Sequence, residues 1–182
     1  MNKSNWEYQK PSERAAGFIL GIFGWLKYIV GSTSNVIPRG RAVQHHGREL
    51  PTGKVLQYPS ILLVEDDPNT ARDFIEVIKK YYMCGSVMIY VAHAYDAAII
   101  FFENEDVNLV IMDADLDDLD GDGAILTRQF LSQKPYLEIL ANSSSKISNL
   151  KLIGFGAIET LEKNPEKLKS WLLLHDPVGA DS

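Results

Sequence analysis

Apolar residues in this chain fall into two alternating kinds of run. Short blocks at Ile61–Val64, Val87–Ala92, Val107–Met112 and Leu137–Ala141, with a weaker one at Ala157–Leu161, are mostly apolar, interrupted at Asn108, Glu138, Glu159 and Thr160. Such blocks are expected of strands covered on both faces. Between them the apolar residues recur at helical spacing. Phe74, Ile75, Val77, Ile78, Tyr81 and Tyr82 lead up to Cys84-Gly85, and Ala97, Ala98, Ile99 and Phe102 lie within Tyr95–Asn104. Gly123–Gln133 reads as a third helix and a short one follows Ser145. Leu168, Trp171, Leu172 and Leu174 give an apolar face to a last helix opened by Lys163-Asn164-Pro165. Pro68 suits the first turn of the helix after the first strand. Five strands alternating with five helices predict an α/β domain, a five-stranded parallel sheet with helices on both faces, because parallel strands need crossover connections.

In such a sheet the C-terminal strand ends share one edge, where ligands bind. That edge collects Glu65, Asp66, Asp113, Ser143 and Lys163. The central stretch is LVIMDADLDDLDGDG at 109–123, with six aspartates between 113 and 122 and glycines at 121 and 123. Clustered carboxylates repel one another and are stable mainly around a hard cation or in water. Mg²⁺ takes oxygen ligands, and a lysine supplies a point charge for a phosphate oxygen. The edge therefore reads as a site for Mg²⁺ and a phosphoryl group.

The N-terminal third follows a different pattern. Ala15–Val30, AAGFILGIFGWLKYIV, is apolar all round except for Lys27. A helix of that length spans about 24 Å, short of the roughly 30 Å hydrocarbon core, so membrane association and contact with a partner both stay open. Gly17, Gly21 and Gly24 lie along one side, as in membrane helix pairs; Trp25, Tyr28 and Lys27 suit an interface, and Arg39, Arg41 and Arg48 would keep that side cytoplasmic. Glu7, Glu13 and the lack of an Ala-x-Ala site argue against a cleaved signal peptide. Residues 31–59 are rich in Gly, Ser, Pro and Arg without periodicity and read as a linker. His45-His46 has no further metal ligand at recognisable spacing.

Charge separates the same two regions. Residues 1–57 hold eight basic and three acidic residues, a net +5, so the remainder carries −11 of the total −6. The acidic part should repel nucleic acid, and none is expected as a partner. A single cysteine, Cys84, excludes an internal disulfide framework and suits a reducing compartment. The division expected is an extension over 1–57, a globular domain over 58–176 and a tail over 177–182.

ILLVEDDP at 61–68, Asp113 with Asp120-Gly121 downstream, Ser143 thirty residues after Asp113, Gly156-Ala157 and Lys163 together resemble the receiver domain of two-component response regulators. The resemblance covers about residues 58–175 and implies a flavodoxin-like sheet of order 2-1-3-4-5. It implies that Asp113 accepts a phosphoryl group from the phosphohistidine of a histidine kinase or phosphotransfer protein. Mg²⁺ would be held by Asp66, by Glu65 through water, by Asp113 and by the backbone carbonyl of Asp115. Ser143 would bind a phosphoryl oxygen, Lys163 would pair with the acceptor, and output would pass to a downstream protein target.

Four positions depart from that pattern. Asp117 replaces the usual proline after the acceptor, and Asn164 is inserted between the lysine and its proline. Thr160 occupies the aromatic switch position, which argues against a ring-flip readout. The stretch from Ser143 to Gly156 is about two residues short, which predicts a shortened fourth helix.

Three other readings compete. Asp118 to Gly123 fits the start of a calcium loop, but Gln129 stands where a bidentate Glu is expected. Asp113, Asp115, Ser143 and Lys163 also resemble haloacid-dehalogenase phosphatases, yet Asp117 breaks that motif and two strand–helix units precede it. A receiver-like docking module that no longer cycles phosphate is the third.

Overall fold

A computed structural model of the chain describes residues 40–116 and 122–180. The apolar segment 15–30 and Asp117, Asp118 and Asp120 lie outside the described residues. The strands are β1 (Gly40–His46), β2 (Ser60–Val64), β3 (Ser86–Ala92), β4 (Leu109–Met112), β5 (Glu138–Ala141) and β6 (Glu159–Thr160). The helices are α1 (Pro68–Tyr81), α2 (Tyr95–Asn104), α3 (Gly123–Gln133), α4 (Lys146–Gly154) and α5 (Pro165–His175), followed by a 3₁₀ turn at Pro177–Ala180. Among these helices none is long and apolar enough to cross a membrane.

The sheet order is β1-β3-β2-β4-β5-β6. From β2 onward every pairing is parallel, so the five expected strands take the flavodoxin-like order. Alternate residues of the central strands face opposite layers. Leu62, Val64, Val110, Met112, Ile139 and Ala141 pack towards α2, α3 and α4. Ile61, Leu63, Leu109, Ile111 and Leu140 pack towards α1 and α5. All of these are fully buried, and each large aliphatic side chain so buried stabilises the fold by about 1.5–3 kcal/mol.

The sixth strand is the main difference from expectation. Gly40–His46, read from sequence as linker, pairs antiparallel with β3 in unbroken register from Gly40↔Ala92 to His46↔Ser86. An edge strand needs little apolar sequence, and in β1 it is Val43 that packs against the core. Gly40 admits the close approach of α2, since a Cβ there would lie 2.6 Å from the Phe101 ring. His45 Nε2 donates to the Tyr82 carbonyl at 2.9 Å, tying the strand to the end of α1. The tail expected over 177–182 also differs in its first part. Gly179 is buried, and its carbonyl accepts the Cys84 N–H at 3.2 Å.

Two helix starts matter for the site. Asp67 caps α1, accepting the N–H groups of Asn69 and Thr70, and Pro68 takes the first turn. Asp122 caps α3 by accepting the Ala124 N–H at 2.7 Å. This cap directly follows the Asp120-Gly121 pair in sequence. α4 is a short helix of nine residues, as the spacing predicted.

Candidate functional site

Parallel register brings the chemistry together. Ile61↔Leu109 and Leu109↔Glu138 are partners, so one step past the strand ends Glu65, Asp113 and Asn142 fall in a single row across β2, β4 and β5. The ladder continues through that row: the N–H of Glu65, Asp113 and Asn142 donate to Ala92, Val64 and Met112 at 2.9, 2.9 and 2.8 Å. The alternation of the strands turns this row to the α1/α5 side, where Lys163 arrives from the loop after β6. Lys163 Nζ donates to Glu65 Oε1 at 2.8 Å and to Asp113 Oδ2 at 2.7 Å. The chain reaches this position through two residues in the left-handed region, Glu162 (φ 57) and Lys163 (φ 51). The Asn164–Pro165 bond is trans.

Of the residues expected from sequence, Glu65, Asp66 and Asp113 offer oxygens that all lie within 4.8 Å of one another, and Lys163 joins two of them. Ser143 is buried beside this group. Its Oγ donates to Asp115 Oδ2 at 3.4 Å and accepts the Ser145 N–H at 3.1 Å, so its described hydrogen bonds do not go to Asp113. Asp115 is exposed between the buried Ala114 and Leu116 and forms an isolated antiparallel bridge with Asp122. Thr160 is half-buried in β6 opposite Ala141.

Two positions were not singled out from sequence. Asn142 is fully buried and contacts both Glu65 and the Lys163 backbone; its signal was a polar side chain directly after an apolar strand. Gly123 lies so close to the end of β4 that a Cβ would sit 1.8 Å from the Asp113 carbonyl oxygen.

No protein-family model matches the sequence, and no curated protein does. Solved structures do. A two-component response regulator of the LuxR family from Aurantimonas sp. SI85-9A1 superposes with a TM-score of 0.54 at 21% identity, over 64% of this chain and 83% of that one. A signal receiver domain from Vibrio parahaemolyticus gives 0.51 at 28% identity, over 64% and 88%. A CheY-like receiver domain protein from Methanospirillum hungatei JF-1 gives 0.50 at 20% identity, over 64% and 91%. The described residues fold as a receiver domain.

Electrostatics of this carboxylate–lysine group follow from its burial. Glu65 and Asp113 are 0% and 1% exposed. Burial pushes Glu65 up to about 8, with the Asp113 charge adding to the shift and the Lys163 hydrogen bond opposing it. Burial likewise raises Asp113 against the pull of Lys163. Burial disfavours the Lys163 ammonium too, but its contacts with Asp113 and Glu65 outweigh that and hold it charged. One ammonium cannot neutralise two carboxylates. The cluster therefore carries a surplus negative charge or retains a proton, and a hard divalent cation on these oxygens would remove that excess.

Proposed function

We propose that this protein acts as a response-regulator receiver in a phosphorelay, accepting a phosphoryl group on Asp113 and signalling through protein–protein contact. The observation that carries this reading is the Glu65–Lys163–Asp113 arrangement at the C-terminal edge of a receiver-type sheet. A carboxylate oxygen of Asp113 would attack the phosphorus of a phosphohistidine on a histidine kinase or phosphotransfer protein. The P–N bond breaks, an acyl phosphate forms, and the imidazole leaves carrying the electron pair.

The oxygen donors of Glu65, Asp66 and Asp113 suit Mg²⁺, with the Asp115 backbone carbonyl as a further ligand. When bound, that ion would neutralise charge on the transferring group. Lys163 supplies the second positive charge beside the acceptor. Ser143 is assigned to the phosphoryl oxygen after rotating away from Asp115. The apolar segment 15–30 is the candidate contact with a membrane or a partner protein.

The reading is tested by incubating the full chain with acetyl phosphate and Mg²⁺ and recording intact mass. One phosphoryl adduct that requires Mg²⁺ supports it. Steady release of phosphate without an adduct would favour a phosphatase of haloacid-dehalogenase type. An unmodified chain that nonetheless binds a kinase-side partner would favour the docking module.

A further inference from the structure

We propose that Asn142 is a positioning residue for the acceptor site, fixing Lys163 against Asp113 by holding the lysine backbone and the Glu65 carboxylate at the same time. This inference rests on the phosphoacceptor reading of Asp113. Asn142 Nδ2 donates to Glu65 Oε2 at 3.2 Å, and Asn142 Oδ1 accepts the Lys163 N–H at 3.0 Å. The other Glu65 oxygen takes Lys163 Nζ at 2.8 Å and the Asp67 N–H at 3.3 Å. The result is a closed ring: Lys163 main chain, Asn142 amide, Glu65 carboxylate, Lys163 ammonium. Asp113 is held at the ammonium corner.

Several features set this amide apart from an ordinary satisfied polar group. Its position, two residues after Leu140 on the same face, is fully buried, and an amide buried there costs free energy unless it is hydrogen-bonded. Burying an amide there is worthwhile only if both of its ends find partners, and they do. The Lys163 N–H belongs to no helix or strand, and it follows a residue that is also in the left-handed region. Non-glycine residues hold that backbone only where contacts over-determine it. The chemistry needed is one donor and one acceptor on a single short planar group, which asparagine supplies. Aspartate would keep the bond from Lys163 but would set a carboxylate against Glu65, and serine would not span both contacts.

The experiment measures initial rates of phosphoryl acceptance from acetyl phosphate at saturating Mg²⁺, using full-length wild type, Asn142→Ala, Lys163→Ala and the double variant. Thermal melts report folding. The expected result is that N142A slows acceptance about tenfold, the worth of a hydrogen bond to a charged group. K163A slows it at least as much, and the double variant is no slower than K163A alone. A general loss of structure would instead multiply the two effects. Amide hydrogen exchange of the wild type adds a reading independent of whether N142A folds: the Lys163 N–H should be protected although it lies in a loop. A wild type that takes no phosphoryl group overturns the acceptor reading. A phosphorylated wild type matched by N142A, multiplying effects, or free exchange at Lys163 overturns the role of Asn142 alone.

Discussion

The parallel sheet has a buried carboxylate at each edge, and the two are satisfied in opposite ways. At the N-terminal edge, Asp176 is 1% exposed and, among the described residues, its carboxylate accepts neutral donors: the Tyr58 N–H at 3.1 Å and the Tyr82 hydroxyl at 3.0 Å, both on Oδ2. The Tyr81 hydroxyl donates to its main-chain carbonyl at 2.7 Å. Burial pushes the Tyr82 and Tyr58 phenols far above their ordinary range, which keeps them protonated and able to donate. At the C-terminal edge, Asp113 is equally buried but shares one lysine with a second carboxylate. Fixed neutral donors from Tyr58 and Tyr82 lock the Asp176 side chain into the packing. A shared counter-ion leaves charge to be neutralised, which is the condition of a site that takes up a cation and a phosphoryl group.

That contrast can be broken, beginning with the largest effect. Asp113→Asn should abolish the phosphoryl adduct while denaturant melts show stability equal to or above wild type, since it removes the surplus charge; a D113N chain that is still modified would refute the assignment. Gly123→Ala should cost about 3–4 kcal/mol in a urea melt, because its Cβ would be driven into the Asp113 carbonyl 1.8 Å away and the backbone must shift. Asp176→Ala should cost about 2–3 kcal/mol by leaving buried donors unpaired, with the phosphorylation rate per folded molecule unchanged. A D176A chain as stable as wild type would show that the N-terminal edge does not depend on its carboxylate.

The smallest effect expected is a pH dependence. The folded-state value of Glu65, about 8, stands above its ordinary 4.5. The folded protein therefore holds a proton that the unfolded chain has released. This contribution to stability is fully present below about pH 4.5 and is lost as pH rises through about 8. Without Mg²⁺, stability should fall as pH rises across that window. Urea melts at several pH values check this, and both added Mg²⁺ and Glu65→Gln should flatten the slope. A flat Mg²⁺-free profile would mean that Lys163 already balances the cluster.

Legibility in sequence tracked physical strength. Strands β2 to β5 were readable because residues buried on both faces must be apolar in succession. Glu65, Asp113 and Lys163 were readable because each is a charge at the end of such a run or at a helix entry. β1 was not, since an edge strand with a single side chain on the core, Val43, has no periodicity to show. Asn142 lies at the start of a polar run, and the register of β4 with β5 is what reveals that it shares a row with Asp113. Gly123 gave no local sign either, because its constraint is a contact with a strand ten residues earlier.

The most direct test of the central claim is to locate the phosphoryl group. The full chain is phosphorylated by acetyl phosphate and Mg²⁺ and reduced with borohydride, which converts an aspartyl phosphate to homoserine, and the peptides are read by mass spectrometry. The account predicts homoserine at position 113 alone. Homoserine at Asp66, Asp115 or another acidic residue, or a phosphoryl group that survives reduction on serine or histidine, would contradict it.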